Sequence, residues 1–347
     1  MRQSMFDNLD VVGMLASTWD LIIGKKEPEQ IISEPEQEKE AEFYLKEHPV
    51  KKFNYRPQNL DEYIGQENAK ELTKLNLQKI MNTKPVHFVI SGYKGAGKSS
   101  LAFIIAKTLG YKLHYFIAST FRKENLKDFL LANEKDNIPH IIFIDEGHSL
   151  SIELGEFLYP LLEDFLLPGE NVEVKPFIFI TATTEKSIML KKFAPLIDRC
   201  GADIVLEKYR PQDIKEIIRQ YSFQVYGEVP PEEVLDLISV NARLTPRISI
   251  NLTDDWFACK DIAKVLRCHR IIKNSLTDID IKILRALVDI NKPLGEENLS
   301  IIAGLEKPDY KSWVEPFLIT EGYIVRLSKG RISTERAKNI LLEIKNN

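Results

Sequence analysis

His87-Phe88-Val89-Ile90-Ser91-Gly92-Tyr93-Lys94-Gly95-Ala96-Gly97-Lys98-Ser99-Ser100 decides the fold. Its first part is a short apolar run that reads as a buried strand, and helical spacing takes over from Lys98 to Leu109. Between them stands G-x-x-x-x-G-K-[ST] in the strand–loop–helix setting the motif requires. Glycines let the backbone wrap closely round a phosphate, and amide N–H groups at the helix N-terminus then face the anion. The spacing predicts an ATP-binding loop made of Gly92, Lys94, Gly95, Ala96, Gly97, Lys98, Ser99 and Ser100. Lys98 is expected to reach the β- and γ-phosphates, and Ser99 to ligate Mg²⁺.

Further along, Ile141-Ile142-Phe143-Ile144 leads into Asp145-Glu146, an apolar strand that delivers two carboxylates at its C-terminal end. Open α/β sheets place their ligands at that edge. Asp145 is expected to position the metal through water and Glu146 to polarise the attacking water, a pairing that suits hydrolysis better than transfer to a phosphate acceptor. The strand Phe177 to Thr181 runs into Ala182-Thr183-Thr184, so Thr184 stands where a polar group can meet a phosphate or that water. Arg199, in Asp198-Arg199-Cys200, and Arg247, in Thr245-Pro246-Arg247, are candidates to stabilise charge on the transferred phosphoryl group. Arg199 lies well downstream of the pocket-forming elements, so its expected target is the nucleotide of a neighbouring subunit. With the strand at Leu113 to Ala118, fully apolar strands alternating with helical segments from Arg56 to Glu207 predict an α/β fold with a parallel sheet flanked by helices. From Arg210 to about Asp261 the chain reads as all-helical. A third block begins near Leu276 and ends in a hairpin, Tyr323 to Arg326 and Arg331 to Ser333, turning at Ser328-Lys329-Gly330.

The 347 residues allow two or three domains. A net charge of −4 means that any nucleic-acid binding needs a local basic surface. Arg326, Lys329 and Arg331 of the hairpin supply one, closely spaced round a turn that can approach a phosphate backbone. The three cysteines, Cys200, Cys259 and Cys268, have no CxxC spacing, which argues against a disulfide framework or zinc site and for a reducing, cytoplasmic setting. No apolar run is long enough to span a bilayer. At the N-terminus, Met5, Leu9, Val12, Ala16, Trp19 and Ile23 recur at helical spacing over residues 1–24, and a Glu-rich, Pro-broken linker follows. That helix is open to docking on a partner, on a membrane surface or on its own chain.

Loop, Asp-Glu strand, polar strand end, Asp-Arg, helical block and Thr-Pro-Arg together resemble the AAA+ ATPases. A closer resemblance, over roughly residues 52–345, is to the RuvB family of Holliday-junction branch-migration motors. Arg56 to Gln66, Leu101 to Ala106, Asp145 to His148, Leu158 to Phe165, Ala182 to Thr184, Thr245 to Arg247 and Glu315 to Tyr323 carry it in unbroken order. The resemblance implies an AAA+ P-loop ATPase core at 51–207, an all-helical lid at 208–272 and a C-terminal winged helix at 273–347, preceded by residues 1–50 without a family counterpart. It also implies that Arg56, Tyr63 and Ile64 frame the adenine of ATP or ADP. Lys98 and Ser99 would hold phosphate and Mg²⁺, Asp145 and Glu146 would be the Walker B pair, and Thr184 would be sensor 1. Arg199 would be the arginine finger and Arg247 sensor 2, with Arg326, Lys329 and Arg331 on DNA, either a four-way junction or a duplex. The expected assembly is a homo-oligomeric, hexameric ring.

Three departures from the family pattern stand out. The stretch Leu166 to Lys175, where the family carries the hairpin that grips RuvA, is short, so RuvA binding is either lost or made through other contacts. Ile197 replaces the first arginine of Leu-Arg-Asp-Arg, and Leu244 replaces the glycine before Thr-Pro-Arg. Two rival readings remain open: a clamp-loader-like or protein-remodelling AAA+ ATPase, to whose Ser-Arg-Cys motif Asp198-Arg199-Cys200 is similar, and an ATP-gated DNA-binding adaptor with little turnover.

Overall fold

A computed structural model describes residues 56–346 apart from 83 and 169–171. The expected N-terminal helix and acidic linker lie outside the described residues. Helix α1 (Glu67–Asn82) comes first. Strand β1 (Phe88–Ser91) feeds α2 (Lys98–Leu109), and β2 (Lys112–Ile117), α3 (Lys123–Lys135) and β3 (His140–Asp145) follow. Next are α4 (Ile152–Glu163), the short pair β4 (Leu166–Leu167) and β5 (Val172–Glu173), β6 (Ile178–Thr183), α5 (Lys186–Arg199) and β7 (Ala202–Val205). The five long strands form one parallel sheet in the order β2-β3-β6-β1-β7.

Burial explains which strands the sequence displays. β1 and β6 are buried at every residue, and β3 at all but Asp145, because helices cover both faces of the sheet. Side chains alternate between two cores: Phe88 and Ile90 point into one, and Val89 between them points into the other. The edge strand β7 alternates buried and exposed, so Ala202-Asp203-Ile204-Val205 offers two inward side chains and no apolar run. It is the fifth strand that the run of apolar residues did not reveal.

The helical block consists of α6 (Pro211–Tyr226), α7 (Glu232–Asn241), α8 (Pro246–Cys259) and α9 (Ile262–Cys268). Ile214, Ile218, Leu235, Ile238, Leu252 and Trp256 from it belong to the same buried cluster as Phe88 and Ile90. The block therefore has no separate core; its apolar face closes over one face of the sheet.

The C-terminal unit contains β8 (Ile271–Lys273), β9 (Leu276–Thr277), α10 (Asp278–Ile290), α11 (Glu296–Ala303), α12 (Lys307–Asp309), a π-helical turn (Tyr310–Val314) and α13 (Glu315–Thr320). It ends with the hairpin β10 (Ile324–Leu327) and β11 (Gly330–Ser333), and α14 (Glu335–Asn346). β8 lies across the boundary expected at 272, and its Ile271 packs against the core cluster of the sheet. Leu284, Leu287, Tyr310, Leu318 and Tyr323 give it a core of its own. A backbone bridge from Leu294 to Arg331 adds a third extended segment beside the hairpin, the arrangement of a winged helix.

Candidate functional site

The C-terminal ends of β1, β3 and β6 lie side by side and bring the predicted groups to one corner. The loop after β1 folds tightly, with Gly92 N–H donating to Thr183 O (3.3 Å) across to β6. Gly95 has φ +80°, and a Cβ there would come within 2.9 Å of both Arg247 Cβ and Thr245 Cγ2. Gly97 has φ +98°, and its Cβ would lie 2.6 Å from the Tyr63 hydroxyl oxygen. Both positions thus require glycine for conformation and for space. Gly97 caps α2 and has no side chain to bond its first-turn amides, which stay available to an anion at the helix N-terminus.

Lys98 is 7% exposed, and its ammonium donates to Gly92 O (3.0 Å) and Tyr93 O (2.9 Å). Burial holds its pKa below that of an ordinary lysine, and Arg247 adds to the effect, while Glu146 and Asp145 oppose it. From β3, Asp145 Oδ2 accepts bonds from Ser99 Oγ (3.3 Å) and from the Tyr115 hydroxyl (3.1 Å). Glu146 sits in the left-handed region with φ 52°, and its Oε2 accepts from Thr184 Oγ1 at 3.0 Å. His148 Nδ1 lies 3.1 Å from Thr183 Oγ1 and 3.5 Å from Glu146 Oε2. Lys98, Ser99, Asp145, Glu146, Thr184 and Arg247 therefore converge, Arg247 from the first turn of α8. The arrangement offers a cation and open amides for phosphates, a hydroxyl and a carboxylate for a metal, and a second carboxylate held by a threonine for water.

Other predicted residues stand elsewhere. Tyr63, expected to frame the adenine, is buried beneath the loop; its hydroxyl donates to Gly97 O (3.2 Å), and that of Tyr209 donates to Ala96 O (3.0 Å). Desolvation raises both phenols, Tyr63 well above its ordinary value and Tyr209 to about 12, so they stay neutral donors. The space left by the missing Cβ of Gly97 admits the Tyr63 ring, which makes the residue a prop for the loop. Arg56 stacks on Phe103 of α2 at 4.5 Å and is exposed, while Ile64 is half-buried. The Gln66 side chain anchors the segment at Glu207 by bonds of 2.8 Å in both directions. Lys94 turns away from the cradle, its ammonium 5.8 Å over the Trp313 ring of the winged helix. Arg199 is not part of the corner: it ends α5, pairs with Glu163 (2.7 Å) and lies over Tyr159 (5.2 Å).

The wing requires a correction. Arg326 and Lys329 are exposed, but Arg331 is 6% exposed. Its Nε donates to Glu315 (2.5 Å) and its Nη2 to Glu296 (3.1 Å). It is an internal strut between α11, α13 and β11, and is not available to DNA. Spacing along the hairpin could not reveal this, because both carboxylates come from helices outside it. Sequence reasoning also missed Tyr115, Tyr209 and His148 as neighbours of the site. His148 stands in the quoted Asp145-Glu146-Gly147-His148, but nothing in the spacing marks Tyr115, an edge-strand residue.

Comparison with known proteins gives one consistent result. Residues 55–206 match the model of the Holliday junction DNA helicase RuvB P-loop domain, and residues 273–342 that of the RuvB C-terminal winged helix domain. The chain is 31% identical over 308 residues to the Holliday junction branch migration complex subunit RuvB of Kosmotoga olearia, covering 81% of this chain and 88% of that one. Against the Mycoplasma pneumoniae subunit of the same name it is 29% identical over 303 residues, 82% and 97% of the two chains. The solved Thermotoga maritima RuvB Holliday junction branch migration motor superposes with a TM-score of 0.71 at 30% identity, over 83% of this chain and 98% of that one.

Proposed function

The chain belongs to the RuvB family, and from that premise we propose that it is an ATP-driven motor that couples hydrolysis to branch migration of Holliday junctions. The observation that carries this reading is the convergence of Lys98, Ser99, Asp145, Glu146, Thr184 and Arg247 on one sheet corner beneath a helical lid. The lid is assigned to 208–272, between an ATPase core at 51–207 and a winged helix at 273–347.

In this reading Lys98 leaves the carbonyls of Gly92 and Tyr93 for the β- and γ-phosphates, which the amides of Gly95 and of Gly97 to Ser100 cradle. Arg56 and Ile64 border the adenine, and Tyr63 and Tyr209 hold the loop in shape. Glu146, held by Thr184, accepts a proton from water as its oxygen bonds to the γ-phosphorus and the bond to the bridging oxygen of ADP breaks. Arg247 faces the negative charge on the phosphates. Ser99 Oγ and the Asp145 carboxylate, both hard oxygen donors, would hold Mg²⁺, which would neutralise phosphate charge. Arg199, on the outer face of α4 and α5, serves the nucleotide of the next subunit in a hexameric ring, and Arg326 and Lys329 meet the DNA backbone. The hairpin of β4 and β5 is short, so a RuvA-like partner would bind through other contacts. The setting is the cytoplasm.

The test is ATP-driven branch migration of a synthetic four-way junction, with and without RuvA. The expected result is strand exchange that depends on ATP and vanishes with a non-hydrolysable analogue. Hydrolysis without any junction movement under either condition overturns the motor reading.

A further inference from the structure

The winged helix meets the rest of the molecule through polar contacts gathered beside the phosphate loop, and one of them is built unlike the others. Arg243 lies in the turn between α7 and α8, two residues before Thr245. Its Nη2 donates to Asp280 Oδ2 (2.7 Å), its Nη1 to Trp313 O (3.0 Å), and its guanidinium lies 4.0 Å from the centre of the Phe317 ring. Asp280 is fully buried within the winged helix. The same Oδ2 also accepts from Thr277 N–H (2.8 Å) and Thr277 Oγ1 (2.7 Å), and Oδ1 has no partner. A lid arginine thus provides the only charge that compensates this buried carboxylate among the described residues.

The other end of the turn rests on the phosphate loop. Thr245 Cγ2 and Arg247 Cβ pack against Gly95 closely enough to exclude a Cβ there. Thr245 Oγ1 donates to Arg243 O (3.1 Å), and Arg243 N–H donates to Ser275 Oγ (2.9 Å), at the start of the winged helix. Arg243 and Leu244 both have positive φ, 49° and 51°. Two consecutive side-chain-bearing residues in the left-handed region are costly and persist only because surrounding contacts hold them, so a change in those contacts lets the turn shift. A cavity of about 770 Å³, bounded by Lys94, Tyr209, Arg243, Arg247, Trp313 and Phe317, separates the loop from the winged helix and leaves room for such a change.

We propose that Arg243 is the positioning residue that carries nucleotide occupancy at the phosphate loop to the winged helix. Phosphates at Gly95 to Gly97 displace Thr245 and Arg247, the short turn passes that displacement to Arg243, and the winged helix follows. It follows because Asp280 stays buried and would otherwise lose the only charge that compensates it among the described residues. The proposal rests on the reading that the chain binds ATP and DNA.

The experiment measures, on the full chain, the affinity for a fluorescent non-hydrolysable ATP analogue with and without saturating duplex DNA. Their ratio is the coupling, and it must be reciprocal. The expected wild-type ratio is about five- to 150-fold. In Arg243→Gln the ratio falls towards one while the DNA-free affinity changes little, and Arg243→Lys, which keeps the charge, retains part of it. The double variant Arg243→Gln/Asp280→Asn removes the buried charge together with its partner, so it keeps the fold and stays uncoupled. A folded double variant with wild-type coupling overturns the proposal, as does a wild type that binds both ligands without coupling. A wild type that fails to bind the analogue or DNA overturns the functional reading instead.

Discussion

The phosphate-loop corner and the wing are both marked in the sequence by clusters of charged residues, and the two fare differently: Lys98, Asp145, Glu146 and Arg247 meet at the corner, while the wing loses Arg331 to the interior. At the corner, main-chain geometry fixes where side chains go: Asp145 and Glu146 sit at the end of a buried strand, and Lys98 opens a helix. The positions follow from parallel strands that must end together, so spacing alone locates them. On the wing, Arg326 and Arg331 are paired directly across the hairpin, but partners outside it decide their roles. Arg331 finds Glu296 and Glu315 and turns inward, whereas Arg326 stays in solvent. A motif anchored by backbone hydrogen bonds can be read one chain segment at a time; a basic cluster cannot, because its partners are tertiary.

The comparison can be broken first at Arg331. If it is a strut, Arg331→Ala leaves the buried Glu315 carboxylate and the half-buried Glu296 carboxylate unpaired and should destabilise the winged helix by about 3–5 kcal/mol, measured by urea unfolding. Unchanged stability, with a loss confined to DNA affinity, would return Arg331 to the DNA surface and erase the contrast.

At the corner, Glu146→Gln should lower ATP turnover by about a thousandfold, within the range removed with a general base, while nucleotide still binds. Near-normal hydrolysis would mean that the carboxylate beside Thr184 is not the one that activates water.

At the opposite end of β1, His87, the residue before the strand, tests whether the sheet is as dry as its burial implies. It is 4% exposed; its Nδ1 accepts from Phe179 N–H (3.0 Å), and its Nε2 lies 3.0 Å from Leu162 O. Desolvation lowers its pKa to about 4, and the Leu162 carbonyl only partly opposes this. Because the folded pKa is depressed, the unfolded chain binds the extra proton between about pH 6.5 and 4. Stability is therefore lost as pH falls through that window, by about 3 kcal/mol in all. His87→Gln can keep both bonds without titrating and should flatten that part of the stability–pH curve; an unchanged slope would assign the acid sensitivity to other groups.

What spacing revealed and what it concealed follow the same division. The apolar runs of β1, β3 and β6 were legible because burial on both faces leaves no polar residue inside them. β7 was not, since its edge position exposes Asp203 and Val205. Tyr63 is expected beside the adenine, and the absence of a Cβ on Gly97, 34 residues away, is what lets its ring lie under the loop. Arg243, adjacent to a motif that was recognised, gave no sign of its role, since Asp280 belongs to another domain.

The smallest effect sharpens the comparison on the side of the wing that faces solvent. Arg326 and Lys329 are exposed cations on a hairpin whose tip also exposes Val325 and Leu327. If each neutralises one phosphate, alanine at either should weaken duplex binding roughly equally for all sequences and reduce the slope of log affinity against log salt by about one. Neither change should alter unfolding, since no buried group loses a partner. Arg331→Met with Glu315→Gln provides the matching control: it removes the strut's charge inside the domain and should leave the salt slope as it was. A slope that falls by one in that variant as well would mean that the inward arginine still acts on the DNA through its field. The corner and the wing would then differ in packing but not in how their charges reach a phosphate.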